Sequence, residues 1–92
     1  MIIKMEGTGA LKEYMGETVQ EIELHENAII ADLYPEIDAR WGTKLPPHIW
    51  NSEKHQFRGA VVVIINKTPT RDMNLRLFHG DHVQLVKALT GG

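Results

Sequence analysis

The stretch that decides the fold is Leu75–Gly92, which reads LRLFHGDHVQLVKALTGG. It contains a short apolar segment, Leu75–Phe78, followed by a Gly80-Asp81 turn. Glycine and aspartate favour turns because glycine reaches positive φ and the aspartate side chain bonds to nearby backbone. The run His82–Leu89 that follows is largely apolar, with Val83 and Leu85 two residues apart. The sequence therefore predicts a strand that ends just before Thr90-Gly91-Gly92.

Alternation assigns two faces to this last strand. Val83 and Leu85 share one face, whereas Gln84 and Val86 share the other. Upstream, Ala60–Ile65 is a continuous and largely β-branched run, which predicts a strand that is buried on both faces or central in a sheet. The connection at 66–74 is polar and is predicted to be turn-like.

The N-terminal third predicts a hairpin. Met1–Glu6 is a short strand that Gly7-Thr8-Gly9 ends, and Thr18–Leu24 is a second strand. Val19 is out of step with the later apolar residues of that strand, which indicates a bulge or a late start. Ala10–Met15 between the strands predicts one helical turn.

A helix is predicted after Asn27, whose side-chain oxygen can accept a free N–H of the first turn. Pro35 lacks an N–H, so we expect a kink or an early end near Tyr34. Gly42 supplies the stop. The apolar positions that follow helical spacing are Ile29, Ile30, Leu33, Tyr34, Ile37 and Trp41.

Residues 43–59 contain Pro46-Pro47, which forbids regular helix there, and bulky residues at irregular spacing. We expect a loop that packs aromatic side chains. Trp41, Trp50 and Phe57 could instead stack on a base or ring, although filling a small core is the commoner role of such residues.

The predicted order is strand, strand, helix, loop, strand, short segment, strand. This pattern is typical of an α+β fold with a mixed β-sheet and one main helix packed on one face. We predict a single domain over residues 1–92 with a flexible C-terminal Gly-Gly tail at approximately 88–92.

The charge, the cysteine content and the length of the apolar runs exclude several classes of function. The chain has 92 residues and a formal charge of −2, so a general nucleic-acid partner is not expected. Residues 1–38 carry nine acids against two bases, a net of −7, and residues 39–92 carry three against eight, a net of +5. This asymmetry either orients a charged partner or averages out in the fold.

With no cysteine, thiolate and zinc–thiolate chemistry are excluded. No apolar run reaches membrane-span length, so we expect a cytoplasmic protein with no membrane partner.

The tail Gly91-Gly92 is the strongest chemical feature. Glycine has no Cβ, so such a tail can thread a narrow channel in a partner enzyme. A terminal carboxylate can attack ATP to form an acyl-adenylate, which can then accept sulfur or an amine. A frayed end or a cloning scar is the alternative interpretation of the same two residues.

The segment Leu75–Gly92 resembles the C-terminus of the small subunit of molybdopterin synthase, in the family of ubiquitin-like sulfur carriers that includes the thiamine-pathway carrier (MoaD/ThiS-like). The shared features are a leucine, a Gly-Asp turn, an alternating strand and a final Gly-Gly. Gly9–Gly16 fits the family's N-terminal pattern loosely. Lys87-Ala88 departs from it, because the molybdopterin subunit usually has two prolines there, and 43–59 is longer and more aromatic than usual.

The resemblance implies a β-grasp fold and a carrier that is not itself an enzyme. A ubiquitin-activating-like adenylating enzyme of the MoeB/ThiF type would adenylate Gly92 with ATP, so the chain itself would bind no cofactor. A sulfur donor such as a cysteine desulfurase would then convert Gly92 to a thiocarboxylate, and the tail would enter a larger synthase subunit, most directly in molybdopterin biosynthesis. Gly92 and Gly91 would carry the chemistry, and the residues contacting partners would be Val86, Lys87, Ala88, Leu89 and Thr90.

Four alternatives remain open. They are a thiamine-type or other biosynthetic sulfur carrier, a ubiquitin-like modifier joined to lysines of target proteins, an interaction module of the ubiquitin fold that does no chemistry, and a metal site. For the metal site, His79 and His82 with Asp81 place two imidazoles and a carboxylate close together. Because no fixed ligand spacing is present, we expect an exposed turn there and assign no residue to a metal.

Overall fold

Two strands from opposite ends of the chain form the centre of the sheet. The computed structural model describes residues 1–87. The last strand runs parallel to the first, and the other neighbouring pairs are antiparallel. The five strands, in spatial order, are β2 (Gln20–Glu23), β1 (Ile2–Thr8), β7 (His82–Lys87), β5 (Val61–Ile65) and β6 (Thr68–Thr70).

One face of this sheet is covered by helices. The short α1 follows β1, and the longer α2 crosses the sheet after β2. A two-stranded hairpin lies beside α2. These elements are α1 (Lys12–Met15), α2 (Leu33–Trp41), β3 (Trp50–Asn51) and β4 (Gln56–Phe57), with 3-10 turns at Gly9–Leu11 and Ile30–Asp32.

The core lies between the sheet and the helices, because alternate residues of each strand point to that side. Within residues 1–87 it contains no buried polar or charged side chain. Burial of this apolar surface is the main favourable term in folding. The α+β architecture, the mixed sheet and the single main helix on one face are as predicted, and they form a β-grasp fold. The largest fully buried side chains are Ile3, Met5, Leu11, Ile22, Ile30, Leu33, Ile37, Val63, Leu77, Val83 and Leu85.

The first strand is longer than predicted. β1 continues through Gly7 to Thr8, where the sequence suggested an end. A Cβ at Gly7 would lie 2.8 Å from Sδ of Met15 and 3.1 Å from Cβ of Leu11. The glycine therefore lets α1 pack closely against the strand rather than ending it. The late start of the second strand is confirmed, since β2 begins at Gln20.

The start of the main helix differs from the prediction. Asn27 has a φ of 68°, in the left-handed region, and is not the N-cap. The chain first makes the 3-10 turn, in which Oδ2 of Asp32 accepts the N–H of Ile29 at 2.8 Å. Pro35 is the third residue of α2, where a backbone N–H has no intrahelical partner in any case. The early end near Tyr34 is therefore wrong, because α2 continues to Trp41.

Residues 43–59 were expected to form a loop, but Trp50–Asn51 and Gln56–Phe57 pair as a hairpin. The expected aromatic packing is confirmed. The region 66–74 is also more regular than predicted, since Thr68–Thr70 is the edge strand β6. Asn66 and Lys67 have φ values of 48° and 73°, which suit a two-residue hairpin turn.

The C-terminal strands agree with the sequence in part. β5 has a neighbour on each side but only Val63 is fully buried, so it is central in the sheet and not buried on both faces. β7 runs from His82 to Lys87, and the predicted continuation through Leu89 lies outside the described residues. Within residues 1–87 no helix has the length and apolar character needed to cross a membrane.

Candidate functional site

The candidate site is the C-terminal end of β7, which is held by a strand on each side. Val86 lies opposite Thr8 of β1 and Val62 of β5. The hydroxyl of Thr8 also donates to the backbone carbonyl of Leu85 at 3.0 Å. The sheet therefore fixes the backbone up to the point where residues 88–92 continue the sequence.

Lys87 is the last described residue and its ammonium group has a defined partner. Nζ donates to the carbonyl of Arg58 at 3.0 Å, and Nε of Arg58 donates to the carbonyl of Pro47 at 2.7 Å. Neither side chain lies within 4 Å of a carboxylate among residues 1–87. This end of the sheet therefore presents two cationic groups without a charge partner in that part of the chain.

An apolar strip lies beside the end of β7 on the sheet face that the helices leave open. Val86 and Val62 are opposite each other, and Ile64 is opposite Gln84 and Pro69. Val63, Val83 and Leu85 occupy the helix-covered face, so alternation places this strip on the open face. We call Val62, Ile64 and Val86, all half-buried, the apolar strip.

A polar group continues this open face along β7 and β1. Nε2 of His82 lies 3.1 Å from Oε2 of Glu6, and Nε2 of Gln84 donates to Oε1 of the same carboxylate at 3.2 Å. The hydrogen bond from Gln84, followed by the one with His82, holds the pKa of Glu6 below its usual value. Glu6 is therefore an ionised acceptor at neutral pH, fixed by its two neighbours.

The predicted site residues divide into two groups. Val86 and Lys87 lie together at the end of the central strand. Ala88, Leu89, Thr90, Gly91 and Gly92 lie outside the described residues. Sequence reasoning missed Thr8, Val62 and Ile64, which flank Val86. The two-residue period of a strand over residues 61–65 could have placed Val62 and Ile64 on one face, but not next to Val86.

The structure does not form the metal site or the aromatic stacking site that the sequence left open. His79 accepts the N–H of Ile2 through Nδ1 at 3.0 Å, whereas His82 faces Glu6. Within residues 1–87 no group of three or more metal-ligating side chains is present. Trp41 and Trp50 are only 5% and 2% exposed, so neither offers a free stacking surface.

The aromatic residues instead pack on one another. The rings of Tyr34, Trp50 and Phe57 meet edge to face, with centroids 4.9–6.1 Å apart. Burial raises the pKa of Tyr34, whose hydroxyl lies 3.0 Å from Sδ of Met73. These contacts join the hairpin of β3 and β4 to α2.

Neither a protein-family model nor a curated protein sequence matches the chain. Solved structures do. The crystal structure of SAMP1 from Haloferax volcanii has a TM-score of 0.78 at 14% identity, with 100% of both chains covered. A crystal structure described as small archaeal modifier protein 1 of the same organism has a TM-score of 0.76 at 12% identity, covering 96% of this chain and 98% of the other.

A third similar structure is a putative molybdopterin converting factor, subunit 1, from Pyrococcus furiosus. Its TM-score is 0.71 at 23% identity, with 96% of this chain and 98% of that chain covered. Matches over almost the whole length of both partners establish that the chain has the ubiquitin-like β-grasp fold. At these identities the likeness concerns the fold alone.

Proposed function

We propose that this chain is a ubiquitin-like sulfur carrier whose reactive group is the carboxylate of Gly92. The observation that carries the proposal is the position of β7, which lies in the middle of the sheet with the apolar strip beside its end. A tail that continues from such a strand can enter a partner's active site while the sheet face next to it docks on the partner. No side chain of the carrier is required for the chemistry.

The proposed reaction has two steps. In the first, an oxygen of the Gly92 carboxylate attacks the α-phosphorus of ATP on a ubiquitin-activating-like enzyme, and pyrophosphate leaves. In the second, a sulfur nucleophile attacks the acyl carbon and AMP leaves. If the nucleophile is a persulfide, such as one formed by a cysteine desulfurase, a thiol reductant supplies the electron pair that frees the thiocarboxylate.

The acceptor pathway we propose is molybdopterin synthesis, with this chain as the small synthase subunit beside a larger catalytic subunit. Two features support this choice. The segment Leu75–Gly92 resembles that subunit, and one of the similar structures is described as a putative molybdopterin converting factor subunit. The larger subunit would contact Lys87 and the apolar strip, which includes Val86. Residues 88–92 would reach the active site of that subunit.

The test is intact-mass spectrometry of the full chain after incubation with an activating enzyme, ATP, a cysteine desulfurase, cysteine and a thiol reductant. We expect the chain mass to rise by the difference between sulfur and oxygen. A variant with one alanine added after Gly92 should fold normally and gain no sulfur. Equal sulfur gain in both proteins would reject the proposal.

A second candidate is a ubiquitin-like protein modifier, and it is favoured by the similar structure described as small archaeal modifier protein 1. The same Gly92 adenylate would then be attacked by a lysine amine of a target, with loss of AMP and formation of an isopeptide bond. Tryptic peptide mapping distinguishes the two, because cleavage after Lys87 leaves an Ala-Leu-Thr-Gly-Gly remnant on a conjugated target lysine, and sulfur transfer leaves none. A pure interaction module would keep its binding after deletion of Gly91-Gly92.

A further inference from the structure

The two edges of the five-stranded sheet are unequal. β6 forms one edge, and its central residue, Pro69, has no N–H to offer an added strand. β2 forms the other edge and contains no proline. A natural sheet commonly blocks an edge against pairing, so the open edge of β2 is the one available to a further strand.

The register shows which backbone groups of β2 point outward. The backbone nitrogens of Met1 and Leu24 each donate to the other residue's carbonyl at 2.8 Å, which makes this a hydrogen-bonded pair. Hydrogen-bonded and non-hydrogen-bonded pairs alternate along an antiparallel ladder. Ile3–Ile22 and Met5–Gln20 are therefore bonded pairs, and the N–H and C=O of Glu21 and Glu23 point away from β1.

The opposite side of β1 agrees with this assignment. The N–H of Lys4 donates to the carbonyl of Asp81, and the N–H of Ile2 donates to Nδ1 of His79. The backbone N–H groups of both residues therefore point toward the β7 side of β1 and away from β2. Lys4 and Ile2 are the register partners of Glu21 and Glu23. Within residues 1–87, no hydrogen bond occupies the outward groups of these two glutamates.

The two faces beside this edge differ in net charge. The side chains of Glu21 and Glu23 are exposed on the open face, where Lys4, the register partner of Glu21, is the one cation of β1 and β2. On the helix face, a cleft of about 570 Å³ lies between the start of β2 and the end of α2, where Arg40 Nη1 is 3.4 Å from Oε1 of Gln20. Its charged residues are Arg40, Lys44 and Glu13, and neither cation lies within 4 Å of a carboxylate among residues 1–87.

We propose that the β2 edge is a docking site for an extended segment of a partner protein that adds as an antiparallel strand with the residue order basic–apolar–basic–acidic. The two basic side chains lie beside Glu23 and Glu21 on the open face. The apolar residue lies opposite Ile22, and the acidic residue reaches Arg40 and Lys44 over the cleft. Main-chain bonds to the two glutamates give affinity, and the alternating charges give register and direction.

A second copy of this chain does not fit the same edge. Two β2 strands that pair across a two-fold axis bring Glu21 and Glu23 of one copy beside the same residues of the other. Like charges directly opposite on a sheet are destabilising. The charge pattern therefore favours a partner of different sequence, and the site rests on residues two strands away from the end of β7.

The probe is a fluorescein-labelled peptide, Thr-Lys-Val-Lys-Glu-Thr, titrated with the full chain by fluorescence anisotropy and followed by amide NMR shifts. We expect the shifts to fall on residues 19–24 and on Arg40 and Lys44. A charge-reversed peptide, Thr-Glu-Val-Glu-Lys-Thr, should bind at least about tenfold more weakly, because like charges then meet on both faces. Equal affinity of the two peptides overturns the proposal.

Methylation of backbone nitrogens in the peptide tests the geometry of the added strand without altering the protein. In the proposed register the amides of both lysines point at β2, whereas the valine amide points to solvent. N-methylation of the two lysines should abolish binding, and N-methylation of the valine should leave it within about twofold. Equal effects of the two methylations would refute the added strand.

A matched pair of protein variants tests the same hydrogen bond from the protein side. Glu21→Gln removes the side-chain charge and keeps the outward N–H. Glu21→Pro removes the charge and the outward N–H, and it leaves the hydrogen bonds to β1 intact. We expect Glu21→Pro to bind about fivefold more weakly than Glu21→Gln, the value of one net hydrogen bond. Equal binding by the two variants, with unchanged amide shifts in β1, contradicts the assignment.

Discussion

Thr8 and Leu85 join the two central strands through a side chain as well as through the backbone. The Thr8 hydroxyl at the end of β1 donates to the Leu85 carbonyl at 3.0 Å, although the residues are 77 positions apart in sequence. Leu85 lies two residues before the last described residue of β7. The contact therefore fixes the strand just before the tail begins.

The Thr8→Val substitution tests this contact with nearly constant side-chain volume. It removes the donor, and we expect the free energy of unfolding to fall by about 1 kcal/mol, the net value of one hydrogen bond. Urea denaturation followed by tryptophan fluorescence gives the value. Thr68→Val is the matched control, because Thr68 is exposed on a strand and its hydroxyl makes no hydrogen bond within residues 1–87. A loss of the same size in both variants would show that the Thr8 hydroxyl is not responsible.

The hairpin of β3 and β4 depends on a buried indole. Nε1 of Trp50 donates to Oδ1 of Asp38 at 2.7 Å, and Trp50 is 2% exposed. Trp50→Phe keeps an aromatic ring and removes this donor to a charged acceptor, so we expect a loss of about 2 kcal/mol in the free energy of unfolding. Urea denaturation followed by far-ultraviolet circular dichroism measures it.

Asp38→Asn separates charge from geometry at the same contact. It retains an oxygen acceptor for the indole, so its cost should be about half that of Trp50→Phe. His55 also lies 3.2 Å from Oδ2 of Asp38, and the His55→Ala variant measures that second contact separately. A change below about 0.5 kcal/mol for Trp50→Phe would mean that the hydrogen bond does not stabilise the hairpin.

The strands predicted most accurately are those with local alternation. The pattern of Val83 to Val86 assigns the faces of β7, and the Gly80-Asp81 turn is confirmed by the φ of 88° at Gly80 and by the bond from the Phe78 N–H to Asp81. These features depend on neighbouring residues, which the sequence displays directly. Together with the helical spacing of residues 29–41 they predicted the α+β class, and the resemblance to ubiquitin-like sulfur carriers supplied the β-grasp assignment.

The missed features depend on contacts that are distant in sequence. β6 contains Pro69 and follows Asn66 and Lys67, which suggest a loop unless β5 is already known to lie beside it. Asn27 has the chemistry of a cap, but the bridge between Ile29 and Arg76 fixes the chain there before the helix starts. The apolar strip was missed for the same reason, because the order of strands decides which residues flank Val86.

The Glu6 carboxylate makes stability depend on pH. Its folded pKa lies below the usual value because Gln84 and then His82 bond to it, with a smaller contribution from Lys12. The stabilisation is therefore fully present above the unfolded pKa of about 4.3 and disappears as the pH falls through the folded pKa. We expect Glu6→Gln to be less stable than the wild type at pH 7, and the difference to vanish in acid below that folded pKa.

Urea midpoints measured across the acid range for both proteins test this relation. Glu23→Gln provides the control, because Glu23 is exposed and its side chain makes no hydrogen bond or ion pair within residues 1–87. Its curve should run parallel to that of the wild type. If the Glu6→Gln curve also runs parallel to the wild-type curve from neutral to acid pH, the contact of Glu6 with Gln84 and His82 does not favour the charged form of Glu6.

The apolar strip should matter for the proposed carrier activity independently of the tail. Val62 lies 24 positions before Val86 in sequence but opposite it in the sheet, so it can contact a partner only through the folded face. Val62→Asp places a charge in a surface that the activating enzyme would have to desolvate. We expect sulfur loading to fall at least about tenfold in kcat/KM, as for loss of a central interface residue.

Ile2→Asp is the matched control for this effect. Ile2 is 39% exposed, and it begins β1 at the opposite end of that strand from Thr8, which lies beside Val86. It should load at nearly the wild-type rate, and circular dichroism should show that both variants are folded. Because residues 88–92 are identical in all three proteins, a loading defect confined to Val62→Asp assigns recognition to the sheet face. Equal rates in the three proteins would instead mean that the activating enzyme recognises the tail alone.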